Sequence, residues 1–273
     1  MDFDLIIRDG TVVTAADVTP QCDIGIKNGT IITLGHKLPA GTNTREVDAE
    51  GAYVTPGGVD SHCHISQFYD PGPGEPQKTL VTDGTIPAKY NFSGDTFESG
   101  SRSAVAGGTT TIISFAVQFR DDESLQPVVT EYHKLAANQT YCDYSFHVIV
   151  TNPTKTVLEQ DMPALVREHG ISSIKIFMTY ASARLNDYQI LDVLHAAQRL
   201  GITTMVHAEN ADLVDWMTEH LEKQGKVQPH YHGVSRPPLV EAEATVSSCR
   251  PDNLHWDTRA DIDGHLEPSC HPR

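Results

Sequence analysis

Thr109–Val150 reads TTTIISFAVQFRDDESLQPVVTEYHKLAANQTYCDYSFHVIV. It holds a β-branched, largely apolar run over Thr109–Val117, a helical pattern over Glu123–Asn138 and a second apolar run over Tyr144–Val150. A strand that is apolar along its length is covered on both faces, as in a parallel sheet. Two such strands joined through a helix form a right-handed βαβ unit. This stretch therefore sets the fold class as α/β.

The same alternation extends both ways. Upstream, Val54–Val59 reads as a strand leading into a loop, and Thr96–Ala106 as a helix stopped at Gly107-Gly108. Downstream, Thr156–Glu168 is helical and closed by Gly170, and Ser173–Met178 (SIKIFM) is a strand. Asn186–Leu200 is a helix ended by Gly201, Thr203–His207 (TTMVH) a strand, and Ala211–Gln224 a helix ended by Gly225. Five βα units fit within 53–225, which predicts part of a TIM-type (β/α) barrel with its active residues at the strand C-termini. The Pro- and Gly-rich span Gln67–Asn91 is long for a βα loop and reads as an active-site loop or lid.

Residues 1–52 differ. Asp4–Arg8, Thr11–Thr14, Asp23–Lys27 and Thr30–Leu34 are short β-like runs broken by Asp9-Gly10 and Asn28-Gly29, both hairpin signals. They predict a small antiparallel module. Val246–Arg273 contains no Lys, Phe, Tyr or Met and no two adjacent apolar residues. It is expected to be irregular and to add no barrel strand. The expected division is 1–52, 53–245 and 246–273.

Lys plus Arg is 20 against Asp plus Glu of 36, a net charge of −16. That balance argues against nucleic acid or an anionic membrane as a partner. No apolar run has the roughly 18 residues of a membrane span. The start, MDFDLIIRDG, lacks the basic segment of a secretory signal. Five scattered cysteines suit a reduced, cytoplasmic protein.

Three places carry chemistry. In Gly57–His64 (GGVDSHCH), His62 and His64 stand two apart at a strand end, so alternation puts both imidazoles on one face, with Asp60 beside them. Such a pair suits a transition metal, or it is two unrelated histidines in a chain with 14. Lys175 is flanked by isoleucines in SIKIFM. Burial would favour its neutral amine, which is nucleophilic and forms a carbamate with carbon dioxide; the alternative is a lysine that snorkels or pairs with an acid. His207 ends TTMVH at the presumed catalytic face, as a ligand or as a hydrogen-bonded core histidine. His232, in HYHGVSRP, is a weaker candidate of the same kind.

With these residues in place, the chain resembles the cyclic amidohydrolases, specifically dihydropyrimidinase and D-hydantoinase. The resemblance runs through DLIIRDGTVVTAADV, VDAEGAYVTPGGVDSHCH, SRSAVAGGTTTIISFA, YCDYSFHVIV, SSIKIFMTY, TTMVHAENADLVDWM and YHGVSRPPLVEAEAT, and covers most of 4–245. SRSAVAGGTTT and HYHGVSRP are similar to the fungal type of dihydropyrimidinase.

The resemblance implies a partial TIM barrel of the metal-dependent amidohydrolase type with a small N-terminal β-sandwich portion. It implies two zinc ions. His62 and His64 would hold one, His207 the other, and Lys175, carboxylated on its amine (N6-carboxylysine), would bridge both. Tyr180 would steady the developing oxyanion. The implied reaction is hydrolysis of a cyclic ureide or imide in pyrimidine catabolism, with 5,6-dihydrouracil giving N-carbamoyl-β-alanine. Family members are homo-oligomers, an expectation not carried to this chain.

The family also supplies a zinc-ligand histidine from strand 6 and an acid/base aspartate from strand 8. The resemblance stops near Thr245, and neither is carried over. His265 lies near the place of that histidine, but its context DIDGHLEPS is no buried strand, and it receives no role. The expectation is a C-terminally truncated chain, inactive as written. Two other readings stand beside it. An allantoinase would share the His pair and the lysine, though GVSRP and Tyr180 favour the dihydropyrimidinase side. A non-catalytic dihydropyrimidinase-related scaffold protein would not need His62, His64, Lys175 and His207.

Overall fold

In the computed structural model, residues 2–69, 91–92, 94–249 and 260–262 are described. His265 and the interior of the expected Gln67–Asn91 loop lie outside them. The chain divides into two compact units, Met1–Gly58 and Val59–Arg273.

The first unit is built around β1 (Leu5–Val13). β2 (Val18–Lys27) pairs with it antiparallel, and β3 (Thr30–Gly35) pairs antiparallel with β2. β4 (Arg45–Asp48) and β5 (Tyr53–Val54) run parallel to β1, so the sheet is mixed where an antiparallel one was expected. The Asn28-Gly29 hairpin forms as expected: Lys27 faces Thr30, and the two turn residues have φ of 50° and 74°. The Asp9-Gly10 hairpin does not form. β1 runs straight through, and its register against β2 shifts around Gly10. Asp9, at φ 49°, donates its amide to Asp23 Oδ1 at 3.0 Å, which holds a bulge in place of a turn. Gly10 leaves room for Val54 there, because a Cβ would lie 2.7 Å from Val54 Cγ2 and force a shift. Val12, Cys22 and Ile24 form the unit's core, with Ile7, Ile26 and Val54 packed on it.

Asp23 is the polar hub of this unit. Its carboxylate takes Arg8 Nη1 at 2.7 Å and the Leu38 amide at 2.9 Å. Burial alone would raise its pKa. The Asp9 amide, the Arg8 guanidinium and the Leu38 amide outweigh burial and hold the carboxyl below its usual range.

The second unit carries a six-stranded sheet. It begins with β6 (Gly58–Cys63), four residues later than the expected Val54–Val59, because Tyr53–Val54 pairs in the first unit. β7 (Phe68–Tyr69) and β8 (Asn91–Phe92) pair antiparallel. Then come α1 (Phe97–Ala106), β9 (Thr109–Val117), α2 (Gln126–Ala136) and β10 (Asp143–Ile149). A π turn (Val157–Asp161) leads into α3 (Met162–His169). β11 (Ser173–Phe177), α4 (Asp187–Leu200), β12 (Thr203–His207) and α5 (Ala211–Lys223) follow. The short α6 (Tyr231–Val234), α7 (Pro238–Cys249) and β13 (Ala260–Ile262) end the described chain. Strand order is β13-β12-β11-β10-β9-β6, and β9 to β13 pair in parallel.

β13 corrects the expectation for 246–273. Three residues there add a strand beside β12, with Thr204 facing Ala260 and Val206 facing Ile262. A three-residue strand at the end of a sheet is held by backbone hydrogen bonds and needs no apolar run. α7 also continues through Val246 to Cys249.

Local signals explain the boundaries. Asn186 caps α4 by accepting the Gln189 amide at 3.0 Å, and Gly201 closes that helix at φ 66°. Gly170 closes α3 the same way at φ 67°. On one sheet face Ile112, Ala116, Phe146, Val148, Ile174, Ile176 and Val206 are buried, in one cluster with Val129, Tyr132, Leu165, Val193 and Ala197 from the helices. Burying each large side chain contributes about 1.5–3 kcal/mol. The opposite face is left to the site.

Candidate active site

Register builds the site. Val117 pairs with Ile149, Ile149 with Lys175, and Lys175 with Met205, so these four form one row on the face turned from the helices. One step toward the strand C-termini, Phe177 pairs with His207 on the same face. Lys175 is buried, 3% exposed, with Nζ 5.2 Å from the centre of the Phe177 ring. The His207 ring stacks on Phe177 at 5.7 Å. Hence the lysine tip and this imidazole share one phenyl ring as a neighbour.

His62 and His64 come from the end of β6 and the residue after it. Their ring centres are 5.3 Å apart with planes at 70°. Phe115, fully buried on β9, lies 4.7 Å from each. His64 Nδ1 is also bonded to Gln67 Oε1. The Asp60 carboxylate accepts the His62 amide at 3.1 Å.

His62, His64, Lys175, His207 and Tyr180 line one cavity of about 430 Å3. His232 does not join them. It sits on α6, bonded to Arg236 Nη1 at 3.2 Å, beside a separate groove. Among the described residues, no group of three or more His, Cys, Asp or Glu side chains is gathered to hold an ion. The histidines stand as a pair and a single ring, and Lys175, Gln118 and Asp121 line the same cavity.

His207 has a second partner. Its Nε2 meets Glu209 Oε2 at 2.8 Å, and Glu209 Oε1 receives Arg236 Nε at 3.4 Å. Tyr180 lies 5.1 Å from the His207 ring. Burial and the Glu209 charge push its phenol above the usual tyrosine range, against an opposing pull from Arg236. It therefore stays protonated at neutral pH. Its backbone is left-handed, φ 66°, which is uncommon for a bulky residue.

Several residues around the cavity were not singled out by the sequence reading. His147, inside the apolar run SFHVIV, bonds the Ser61 carbonyl at 2.8 Å and Ser173 Oγ, fixing the backbone next to His62. Gln118, fully buried, accepts the Thr151 and Asn152 amides at 3.0 and 3.1 Å and binds the loop after β9 to the loop after β10. Arg120 lines the cavity from that same loop. An imidazole within an apolar strand is the one sequence cue to His147. Gln118 and Arg120 matter through loop contacts that no spacing encodes.

A parallel half-barrel with its polar side chains at the C-terminal ends of the strands defines the barrel type of α/β fold. Sequence places it more closely. Residues 53–261 match the Amidohydrolase family, and the chain belongs to that family. The match runs past Thr245, where the resemblance was expected to stop, and takes in Ala260 and Asp261 of β13. The chain is similar to a D-hydantoinase of Rhizobium radiobacter, 38% identical over 247 residues, covering 89% of this chain and 48% of that protein. A dihydropyrimidinase of Dictyostelium discoideum is 32% identical over 242 residues, covering 88% and 44%. The crystal structure of dihydropyrimidinase from Brevibacillus agri NCHU1002 superposes with a TM-score of 0.81 at 32% identity, covering 94% of this chain and 51% of that one. The chain spans about half the length of these relatives.

Proposed function

We propose that the chain carries the metal-binding face of a zinc-dependent cyclic amidohydrolase that opens a 5,6-dihydropyrimidine or hydantoin ring at a C–N bond. One observation carries this reading: His62, His64, Lys175, His207 and Tyr180, far apart in sequence, line a single cavity. The relatives' names, D-hydantoinase and dihydropyrimidinase, support the substrate class.

The donor set fits zinc. Imidazole nitrogens are preferred zinc ligands, and His62 and His64 are near enough to share one ion. His207 would serve a second, with Nε2–H given to Glu209 and Nδ1 left as the lone-pair nitrogen. Three imidazoles bring no negative charge. That charge would come from Lys175, whose neutral amine adds to carbon dioxide, giving a carbamate anion and releasing one proton. When bound, zinc lowers the pKa of water and polarises the carbonyl under attack.

The chain's own groups would supply part of the rest, while the proton for the leaving ring nitrogen would come from the family's strand-8 aspartate, which is not carried over. Phe115 and Phe177 form an apolar floor that excludes water beneath the imidazoles and the lysine. Tyr180, kept protonated, donates its hydroxyl hydrogen to the oxyanion that develops on the ring carbonyl. Glu209 orients His207 and places a negative charge behind it. The free thiols of Cys22, Cys63 and Cys142 suit a reducing, cytoplasmic setting.

The test is a substrate panel. Because the strand-6 histidine and the strand-8 aspartate expected of the family are not carried over, the zinc-loaded chain is expected to convert 5,6-dihydrouracil to N-carbamoyl-β-alanine and to open hydantoin only slowly, and the double variant H62A/H64A to lose at least about a hundredfold of that residual rate. Faster opening of allantoin than of either substrate would overturn the substrate class. No ring opening at all would overturn the enzyme reading and leave the scaffold alternative.

A further inference from the structure

We propose that Arg120 is a positioning residue that straps the Tyr180–Arg184 turn to the loop after β9 and so fixes the Tyr180 hydroxyl at the cavity. The catalytic half of this inference rests on the reading of Tyr180 as an oxyanion donor.

The turn needs a restraint. Tyr180 sits at φ 66°, a conformation that is strained for a bulky residue and persists only where its surroundings impose it. Part of the restraint is internal. The amides of Ala183 and Arg184 both donate to the Tyr180 carbonyl at 2.8 Å, and the Leu185 amide returns to the Phe177 carbonyl at 2.9 Å. These bonds use the amides of Ala183, Arg184 and Leu185. The carbonyls of Ala181, Ser182 and Arg184 are taken up by one side chain. Arg120 Nε donates to Ser182 O at 3.2 Å, and Nη2 donates to Ala181 O at 3.4 Å and to Arg184 O.

A guanidinium suits this task. It is planar, always charged and fork-shaped, so it can serve several carbonyls from one side, whereas a lysine ammonium is a compact point charge. Its anchor is also firm. The Arg120 carbonyl accepts Asn152 Nδ2 at 3.0 Å, the Phe119 amide donates to Asp122 Oδ2 at 2.8 Å, and the buried Gln118 fastens the same loop to the loop after β10. Arg120 thus links a loop that cannot easily move to a turn that is costly to form. Its charge lies along the wall of the cavity lined by Lys175 and His207.

The experiment compares the full chain with R120Q, R120K, Y180F and R120Q/Y180F, by amide hydrogen exchange and by steady-state opening of 5,6-dihydrouracil. In R120Q the amides of Ala183 and Arg184 are expected to exchange about tenfold faster, with the helix Asp187–Leu200 unchanged. Its kcat is expected to fall about tenfold with KM within twofold, and R120K to recover only part of the loss. In the Y180F background R120Q is expected to cost nothing further, because both act through one hydroxyl. Unchanged exchange in both Arg120 variants would overturn the strap. Losses that multiply in the double variant would overturn its action through Tyr180. If the wild-type chain opens no ring, or Y180F keeps the full rate, the reading of Tyr180 fails instead, and the exchange data decide the strap by themselves.

Discussion

Phe115 shows how a residue with no chemistry of its own shapes a reactive site. Its ring meets His62 and His64 at 4.7 Å each and His147 at 5.0 Å, and it is fully buried. Phe115→Ala would remove this shared surface and leave a cavity. The expected loss is about 3–5 kcal/mol of folding free energy in a denaturant titration, with reduced zinc retention. Loss below about 1 kcal/mol would mean that the imidazoles hold their places without it. That His62, His64, Lys175 and His207 line one cavity was foreshadowed at this scale, because strand ends and apolar flanks single them out. Arg120 and Gln118 were not, since their partners lie in other loops and depend on how the sheet closes. His232 was misjudged for the same reason: a histidine in a marked motif says nothing about which cavity its helix faces.

At the scale of elements, helix ends were the clearest text. Asn186 and Gly201 delimit α4 as the sequence predicts, by a side-chain cap and a left-handed stop. Asn186→Ala is expected to lower stability by about 1 kcal/mol through loss of the cap. Gly201→Ala is expected to cost about 1 kcal/mol, because alanine strains at φ 66°. Thermal melts of the two variants check both, and an unshifted melt for either would contradict the assigned boundary. Two elements were misread for a physical reason. Asp9-Gly10 has the composition of a hairpin, yet Asp23 holds the Asp9 amide and turns the dipeptide into a bulge. Ala260–Ile262 has too few apolar residues to read as a strand, yet it gains one through the free edge of β12. Both depend on partners distant in sequence.

For the molecule as a whole, charge and register set different properties. The parallel register gathers distant residues on one face and so determines what the chain can do. The acidic surplus of −16 bears on partners and on pH. Asp23 gives a definite sign. Its folded-state pKa is lowered, so its contribution to stability is present above the unfolded carboxyl value of about 3.9 and is lost as pH falls through the lower folded value. Acid unfolding of the N-terminal unit, followed by amide exchange in β1 and β2, is therefore expected to set in below about pH 4, and D23N to weaken that dependence. An unchanged acid profile in D23N would show that Asp23 is not the controlling group. Among the described residues no helix is long and apolar enough to cross a membrane.

Diffraction from zinc-soaked crystals of the full chain, collected at the zinc absorption edge, bears most directly on the site. Anomalous peaks are expected in the cavity between His62, His64, Lys175 and His207, about 2.0–2.1 Å from the imidazole nitrogens, with density for a carboxylate on Lys175. Peaks confined to other surfaces, or a cavity without any, would contradict the account.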